Sequence, residues 1–556
     1  MTEPTIRDIS DGYVDDLCAA DPFLGTYLGV AGSDGRCTDL SPDGLQHRAG
    51  ITATALAAAE ALPEAADPRD RVAAAVLIER LSVSVARDEA GFAYGDLNVL
   101  ASEIQNVRQI FDLMDTSSDE GWAAISERMS GIPDCLDGLT ATYREGIRRG
   151  IVPAVRQVVG CAKQADAWAG TASEPGFFRT LAEGSTTTGL GDAAKAADAA
   201  YGRLAAFLRL ELAPAARATD PVGRGRYALA SRDFLGAEVD LEETYAWGWD
   251  ELIRLGAEQE RTAAIIVGHA GATLAEAFAV LDADQRYVLH GSDALQAWMQ
   301  QLSDRTLADF DGVHFDLDPK LRTLRCAIAP PGGSAGMYYT PPNQDWSRPG
   351  TMWWSLSPGQ DTFHTWTEVT TVFHEGVPGH HLQCAQAVLR ADLLTKFQSQ
   401  LCFVSGHGEG WALYAERLMA DLGYLDDPGD KMGMLDAQAM RAARVVMDIG
   451  AHLQLPIPKN PWGWREGEMF DATAMRELMS MRTNLEEALI VDEVARYLGW
   501  PGQAPSYKVG ERVWLDARDA AKARHGAAFD LKAFHTAALD LGPMGLDPLK
   551  EELARL

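Results

Sequence analysis

The chain has 556 residues, 47% of them hydrophobic, with a formal charge of -31 and seven cysteines. That length and apolar content suffice for a large buried core, while the negative charge repels phosphate backbones and anionic bilayers, so neither nucleic acid nor a membrane is expected as a partner. The cysteines at 18, 37, 135, 161, 326, 384 and 402 are odd in number and never in C-x-x-C spacing, which argues against a disulfide framework and a thiolate zinc site and marks them as reduced core residues.

No run of about 18 apolar residues is present to cross a bilayer, and the opening residues lack a basic stretch followed by an apolar one, so a cytoplasmic protein is expected. Oligomeric state leaves no mark in the pattern. In chain order, "ITATALAAAEALPEAADPRDRVAAAVLIERLSVSVARDEA" predicts two helices broken at Pro68, and "LGDAAKAADAAYGRLAAFLRLELAPAA" predicts an alanine-rich helix with apolar residues three to four apart. "LEETYAWGWDELIRLGAEQERTAAIIVGHAG" predicts a long helix closed by a glycine C-cap. Strand signals cluster in "RTLRCAIA", "GMYYT" and "TMWWSL", which predict a small sheet directly before the most informative stretch of the chain. A strand edge there could hold an extended peptide. The expected architecture is mainly α, with a helical N-terminal lobe over 1–300 and a catalytic half over 301–556.

The informative stretch is "FHEGVPGHHLQ", Phe373–Gln383. A zinc helix of H-E-x-x-H type puts its two imidazoles four residues apart on one face; here Pro378 stands at the second position and histidines come late, at 380 and 381. On a regular helix His380 would lie about 600° around from His374, and His381 would return to within about 20° but roughly 10 Å further along the axis. Neither could share an ion with His374 unless the backbone bulges or breaks, which Pro378 and Gly379 are suited to cause. The inferred motif is H-E-x-x-P-G-H, with His374 and His380 as metal ligands, His381 as the alternative, and Glu375 as the base for a metal-activated water.

Downstream, "SGHGEGWALYAERLM" puts Glu409 near a helix start and Glu416 two turns later on the same side. Glu409 would complete a His-His-Glu set with one position open, and Glu416 would support a ligand from behind, while His407 is a further loop candidate. In "RVVMDIGAHLQ" Asp448 and His452 are four apart, so the carboxylate could orient the imidazole. "GWPGQAPSYKVGERVW" offers Gln503, Tyr507 and Lys508 in a loop entering a helix. Tyr507 or His452 could face a developing oxyanion. Arg444, Lys508, Arg348 and Arg482, together with Gln503, are candidates for binding substrate, because arginine grips a carboxylate bidentately. "GGSAG", Gly332–Gly336, matches G-x-S-x-G, but it follows two prolines and precedes a strand, so a serine hydrolase using Ser334 is a lesser alternative.

"HEGVPGHHLQ", "EGWALYAE", "DIGAH" and "PGQAPSYKVG", in this order, with "DPFLGTYLGV" and "DLSPDGL" near the start, resemble the bacterial domain-of-unknown-function family 885 over nearly the whole chain. The resemblance implies a large multi-helix, zincin-like fold, similar to zinc peptidases whose third ligand is a glutamate, such as angiotensin-converting enzyme and the oligopeptidases, with a cleft between helical lobes. It also implies one zinc ion on His374, His380 and Glu409, with Glu375 as general base and Tyr507 or His452 at the oxyanion. The recurrent H-E-x-x-P-G-H element favours His380 over His381. The expected activity is zinc-dependent hydrolysis of short peptides; the alternative is a peptide-binding protein whose metal site has degenerated.

Overall fold

The structure, a computed structural model, describes residues 4–171, 173–329, 336–357 and 359–556. Helices dominate, as the patterning requires. Pro42–Glu60 and Pro68–Glu89 flank the predicted break, with Pro68 opening the second helix, where a missing amide costs nothing. The alanine-rich helix runs over Leu190–Phe207, and Leu241–Val267 ends at Gly268 in the left-handed region (φ 89°), the glycine cap expected.

The chain forms two compact units. One comprises residues 1–66, 77–229 and 492–501, the other 67–76, 230–491 and 502–556. The division expected at residue 300 does not coincide with this partition: each unit borrows a short segment from a distant part of the chain, which periodicity cannot reveal. The core of the first unit gathers Ile104, Phe111, Ile125, Leu136, Tyr143, Phe178 and Tyr201 from five separate helical segments.

Among the described residues, the second unit carries every candidate site residue named above and five short strands. β1 (Val288–His290) pairs antiparallel with β5 (Thr362–His364). β2 (Leu324–Ile328), β4 (Gly350–Trp354) and β3 (Tyr338–Thr340) form a second sheet in that order, β4 parallel to β2 and antiparallel to β3. The three predicted strand segments thus share one sheet; the β1–β5 pair was not predicted, because three-residue strands carry too little alternation to read.

β5 leads directly into the helix Thr365–Glu375, which ends on the His374-Glu375 pair. Its root is Trp366, wholly buried, stacked on Phe278 at 5.6 Å and donating its indole N–H to Asp282 at 3.1 Å. Removing such a ring costs about 3–5 kcal/mol, so the start of this helix is firmly held.

Candidate metal centre

The helix carrying His374 does not bulge at Pro378; it stops. Residues 376–379 form a turn with a cis Val377–Pro378 peptide, and a second helix restarts at His380 and runs to Leu389. The turn is tied back on itself: the Gly379 amide donates to the Phe373 carbonyl at 3.0 Å and the His381 amide to the Gly376 carbonyl at 3.0 Å. Glycine at 379 is a steric necessity, since a Cβ there would stand 1.9 Å from the His374 carbonyl oxygen. The Trp411 indole clamps the turn from the next helix, donating to the carbonyls of Pro378 at 2.9 Å and Gly379 at 3.2 Å.

The consequence is convergence. The His374 and His380 rings stand 5.0 Å apart and perpendicular, and the Glu409 carboxylate lies 3.3 Å from Nε2 of His374 and 3.5 Å from Nε2 of His380. One ligand atom from each of the three lies within 4.8 Å of the others. His374 and His380 are buried and Glu409 nearly so. Glu409 comes from the helix Ser405–Asp421, which crosses Ser506–His525 at glycine against glycine. A Cβ on Gly510 would meet the Gly406 carbonyl at 2.0 Å, so the two helix backbones touch and carry Tyr507 to the same place.

Behind this cluster, Nδ1 of His374 donates to Glu416 at 2.8 Å, and the Thr370 hydroxyl donates to the other oxygen of that carboxylate at 2.6 Å. This makes Nε2 the nitrogen that faces Glu409 and His380. Burial opposes charge on every member of the cluster, yet the mutual field wins: Glu409 and Glu416 raise His374, Cys384 and Glu409 raise His380, and the two imidazoles push Glu409 well below the usual carboxylate range. A site that favours protons on two nitrogens facing an anion also favours a cation there, and two imidazoles plus one carboxylate are a fitting donor set for zinc with a position left open. Glu375 is buried beside them; burial raises its carboxyl, with Glu409 adding to the rise and His380 and His374 opposing it.

His381, the alternative ligand, turns elsewhere. Its Nε2 donates to the Leu321 carbonyl at 2.8 Å and its Nδ1 faces the Tyr339 hydroxyl at 3.0 Å, so both nitrogens are committed to the sheet side, and burial lowers it to about 4. His407 is likewise directed away, with Nδ1 3.2 Å from the Gln383 amide and its ring against Trp514.

Of the two oxyanion candidates, Tyr507 has its ring 6.5 Å from that of His374 and nearly parallel to it, at 22°. His452 is wholly buried with Nε2 3.7 Å from one Asp448 oxygen, and the other Asp448 oxygen takes the Gly502 amide at 2.8 Å, anchoring the loop that leads to Tyr507. Arg444 is buried with its guanidinium 5.0 Å from the Tyr507 ring centre. Gln503 is buried in that loop, its carbonyl accepting from Ser506 at 2.6 Å.

The remaining substrate candidates are placed otherwise. Lys508 is buried and neutralised by Glu251 at 2.9 Å and by Glu511, with Gln438 as a further acceptor, so its charge is spent inside the fold. Arg348 is exposed and reaches the Pro341 carbonyl at 3.5 Å. Arg482 bonds Gln259 at 2.8 Å and lies over Trp462. Ser334, with residues 332–335 of the G-x-S-x-G match, lies outside the described residues. Thr370 and Trp411 were missed by sequence reasoning, although Thr370 sits four residues before His374 on the same helical face and Trp411 lies inside a quoted motif.

Comparisons agree with this breadth of pattern. A family profile described as "Bacterial protein of unknown function (DUF885)" matches residues 22–553. The crystal structure of "the putative lipoprotein from Colwellia psychrerythraea" superposes with a TM-score of 0.84 at 20% identity, covering 99% of this chain and 98% of its own. A "putative lipoprotein of unknown function from Shewanella oneidensis" gives 0.77 at 16% identity, covering 99% and 100%. The fold is therefore shared along its whole length. No curated protein matches the chain. Among the described residues no helix is long and apolar enough to cross a membrane.

Proposed function

We propose that this chain, which belongs to the DUF885 family of bacterial proteins, is a zinc-dependent peptidase acting on short peptides. The observation that carries the proposal is the convergence of His374, His380 and Glu409 within 4.8 Å of one another, next to the buried carboxyl of Glu375. The zincin-like reading of the fold belongs to the same proposal: an H-E pair closes one helix, and a carboxylate from a later helix completes the donor set.

When bound, zinc supplies Lewis acidity towards a water molecule and the scissile carbonyl. Glu375 takes a proton from the attacking water as it adds to the carbonyl carbon, and returns that proton to the leaving amine. Its burial suits the task, since a raised carboxyl is a stronger base and can hold the proton between the two steps. The Tyr507 hydroxyl donates to the carbonyl oxygen as charge gathers on it. Glu416 and Thr370 hold the His374 ring in one tautomer. Arg444, beside Tyr507, is the residue we assign to a substrate carboxylate. Lys508, Arg348 and Arg482 are not part of this assignment.

Metal analysis of protein purified without added zinc or nickel resin is the first test, followed by a peptide-library digest with and without chelator. One ion per chain and chelator-sensitive cleavage are expected. Absence of stoichiometric metal would sink the reading and leave a peptide-binding protein. Glu375→Gln should keep the ion and lose hydrolysis; an active variant would remove Glu375 from the mechanism. Cytoplasmic residence is also proposed, and recovery of the protein in a membrane fraction, which the description of both structural neighbours invites testing, would replace it.

A further inference from the structure

Arg482 is left over from the substrate candidates, yet its setting is built with care. It closes the helix Ala472–Arg482 and is only 4% exposed. Its guanidinium lies over the Trp462 ring at 4.5 Å, and Gly256, on the helix Leu241–Val267, clears the place: a Cβ there would stand 2.6 Å from Nη2 of Arg482 and 3.1 Å from the Trp462 ring. Gln259 holds one edge, its side-chain oxygen accepting from Nη2 at 2.8 Å and its amide donating to the Arg482 carbonyl at 3.5 Å. The rest of the fork is unclaimed. Among the described residues Nε has no acceptor, and Nη1 has only the Glu260 carboxylate at 4.0 Å, too far for a hydrogen bond.

This under-satisfied guanidinium lines a cavity of about 780 Å³, a volume suited to a small molecule. The walls are largely apolar: Ala257 and Ala264 from the helix Leu241–Val267, Ala272 and Leu274 from the turn into the helix Leu274–Ala283, and Met481 beside Arg482. Three charged residues line it, Glu260, Arg261 and Arg482, so the lining carries one net positive charge in a chain of formal charge -31. Arg261 makes no ion pair or hydrogen bond with any described residue. Burial pulls the Arg482 guanidinium below its ordinary range, with Glu260 and Asp436 opposing, so the neighbouring carboxylates leave its desolvation incompletely offset. The first turn of Leu274–Ala283 also borders the cavity, but Thr273 and Glu276 cap it internally, which leaves the two arginines as the groups available to an anion.

We propose that the cavity between Arg261 and Arg482 is a binding site, separate from the metal centre, for a small monocarboxylate with an apolar body. The carboxylate takes the open side of the Arg482 fork and the Arg261 charge, while the body lies along the alanine, leucine and methionine wall. Glu260 sets the charge of the ligand: it stands 4.0 Å from Nη1 and repels a dianion such as a phosphate monoester more than it repels a carboxylate. The apolar wall sets the other half of the selectivity, since a head group alone leaves that surface in water. The site stands independently of the peptidase reading, because none of its residues belongs to the His374, His380 and Glu409 cluster.

The test is isothermal titration calorimetry of the full chain with hexanoate, set against acetate, hexanol and hexyl phosphate. One hexanoate per chain is expected, with each of the other three bound at least about tenfold more weakly. Arg261→Gln, at an exposed position, and Ala264→Leu, which fills the cavity from its wall, should each weaken hexanoate about tenfold. Arg482→Gln should abolish binding, with circular dichroism checking its fold; the first two variants keep the proposal testable if this buried change unfolds the chain. The same titration on His380→Ala separates this site from the metal centre, and hexanoate should bind there unchanged. No binding by the wild type, an affinity indifferent to both Arg261→Gln and Ala264→Leu, or loss of binding in His380→Ala would overturn the proposal. Hexanol or hexyl phosphate binding as tightly as hexanoate would equally overturn it, by removing the carboxylate from the recognition.

Discussion

Glu416 accepts a hydrogen bond from Nδ1 of His374 at 2.8 Å, and so decides which nitrogen of that imidazole faces His380 and Glu409. The carboxylate is wholly buried, and its second oxygen is held by Thr370. Glu416→Gln keeps the shape but allows the amide to present either end. Zinc affinity should fall about 10–100-fold, as for other partners of metal-bound histidines, in competition titrations with a chromophoric chelator. An unchanged affinity would make Glu416 a mere packing residue.

The two adjacent histidines separate cleanly. His380→Ala should remove stoichiometric zinc with little change in thermal midpoint of the metal-free protein. His381→Ala should keep the zinc and lose stability, on the order of 1–3 kcal/mol, because the Leu321 carbonyl is left without its donor. Metal content and urea denaturation of the two variants, measured side by side, check both halves; zinc lost from the His381 variant alone would reverse the assignment.

Tyr507→Phe keeps the ring beside His374 and deletes only the hydroxyl. A donor used solely as charge develops should show as a fall in kcat of about 10–1000-fold, with KM and zinc content nearly unchanged. A rise in KM alone would instead make Tyr507 part of substrate binding.

Lys508 is surrounded by acids within the fold. Burial by itself would raise Glu251, but Arg254 and Lys508 bring it down to about 2. Lys508→Met strands Glu251 and Glu511 without their shared cation and should cost about 3–5 kcal/mol in urea unfolding. A variant of wild-type stability would restore Lys508 as a candidate for the substrate.

Acid stability should carry the signature of His535. Burial, with Arg518 and His314 adding to it, lowers this imidazole to about 3, and its Nε2 lies 2.7 Å from the Tyr414 hydroxyl. The unfolded chain therefore takes a proton near pH 6.5 that the folded chain refuses until about pH 3. Between those limits the unfolded state binds more protons, so stability falls as pH falls, by roughly 1.4 kcal/mol per pH unit from this group. Comparing urea midpoints of wild type and His535→Gln from pH 7 to pH 4 isolates the effect: the variant should show the shallower decline.

The grouping of His374, His380 and Glu409 was legible in the chain. Regular helical geometry forbids His374 and His380 from sharing an ion, so Pro378-Gly379 had to interrupt the helix, and the structure breaks it there. Glu409 and Glu416 were readable from a two-turn repeat within one helix. What stayed hidden depends on partners far away in sequence. Lys508 looks like a substrate ligand until Glu251, from another helix, is seen beside it, and His381 rivals His380 until Leu321 and Tyr339 claim both its nitrogens. The short segments that each unit borrows leave no local periodicity at all.

Trp411 holds the carbonyls of Pro378 and Gly379 with a single indole N–H. Because the two imidazoles ride on separate helices, their bite is fixed by this pin and four linking residues, independently of the 3.6-residue repeat. The spacing of the two rings can therefore be tuned by editing the connector alone, leaving both helical faces to serve packing, which makes the pair more adjustable than two histidines locked along one rod.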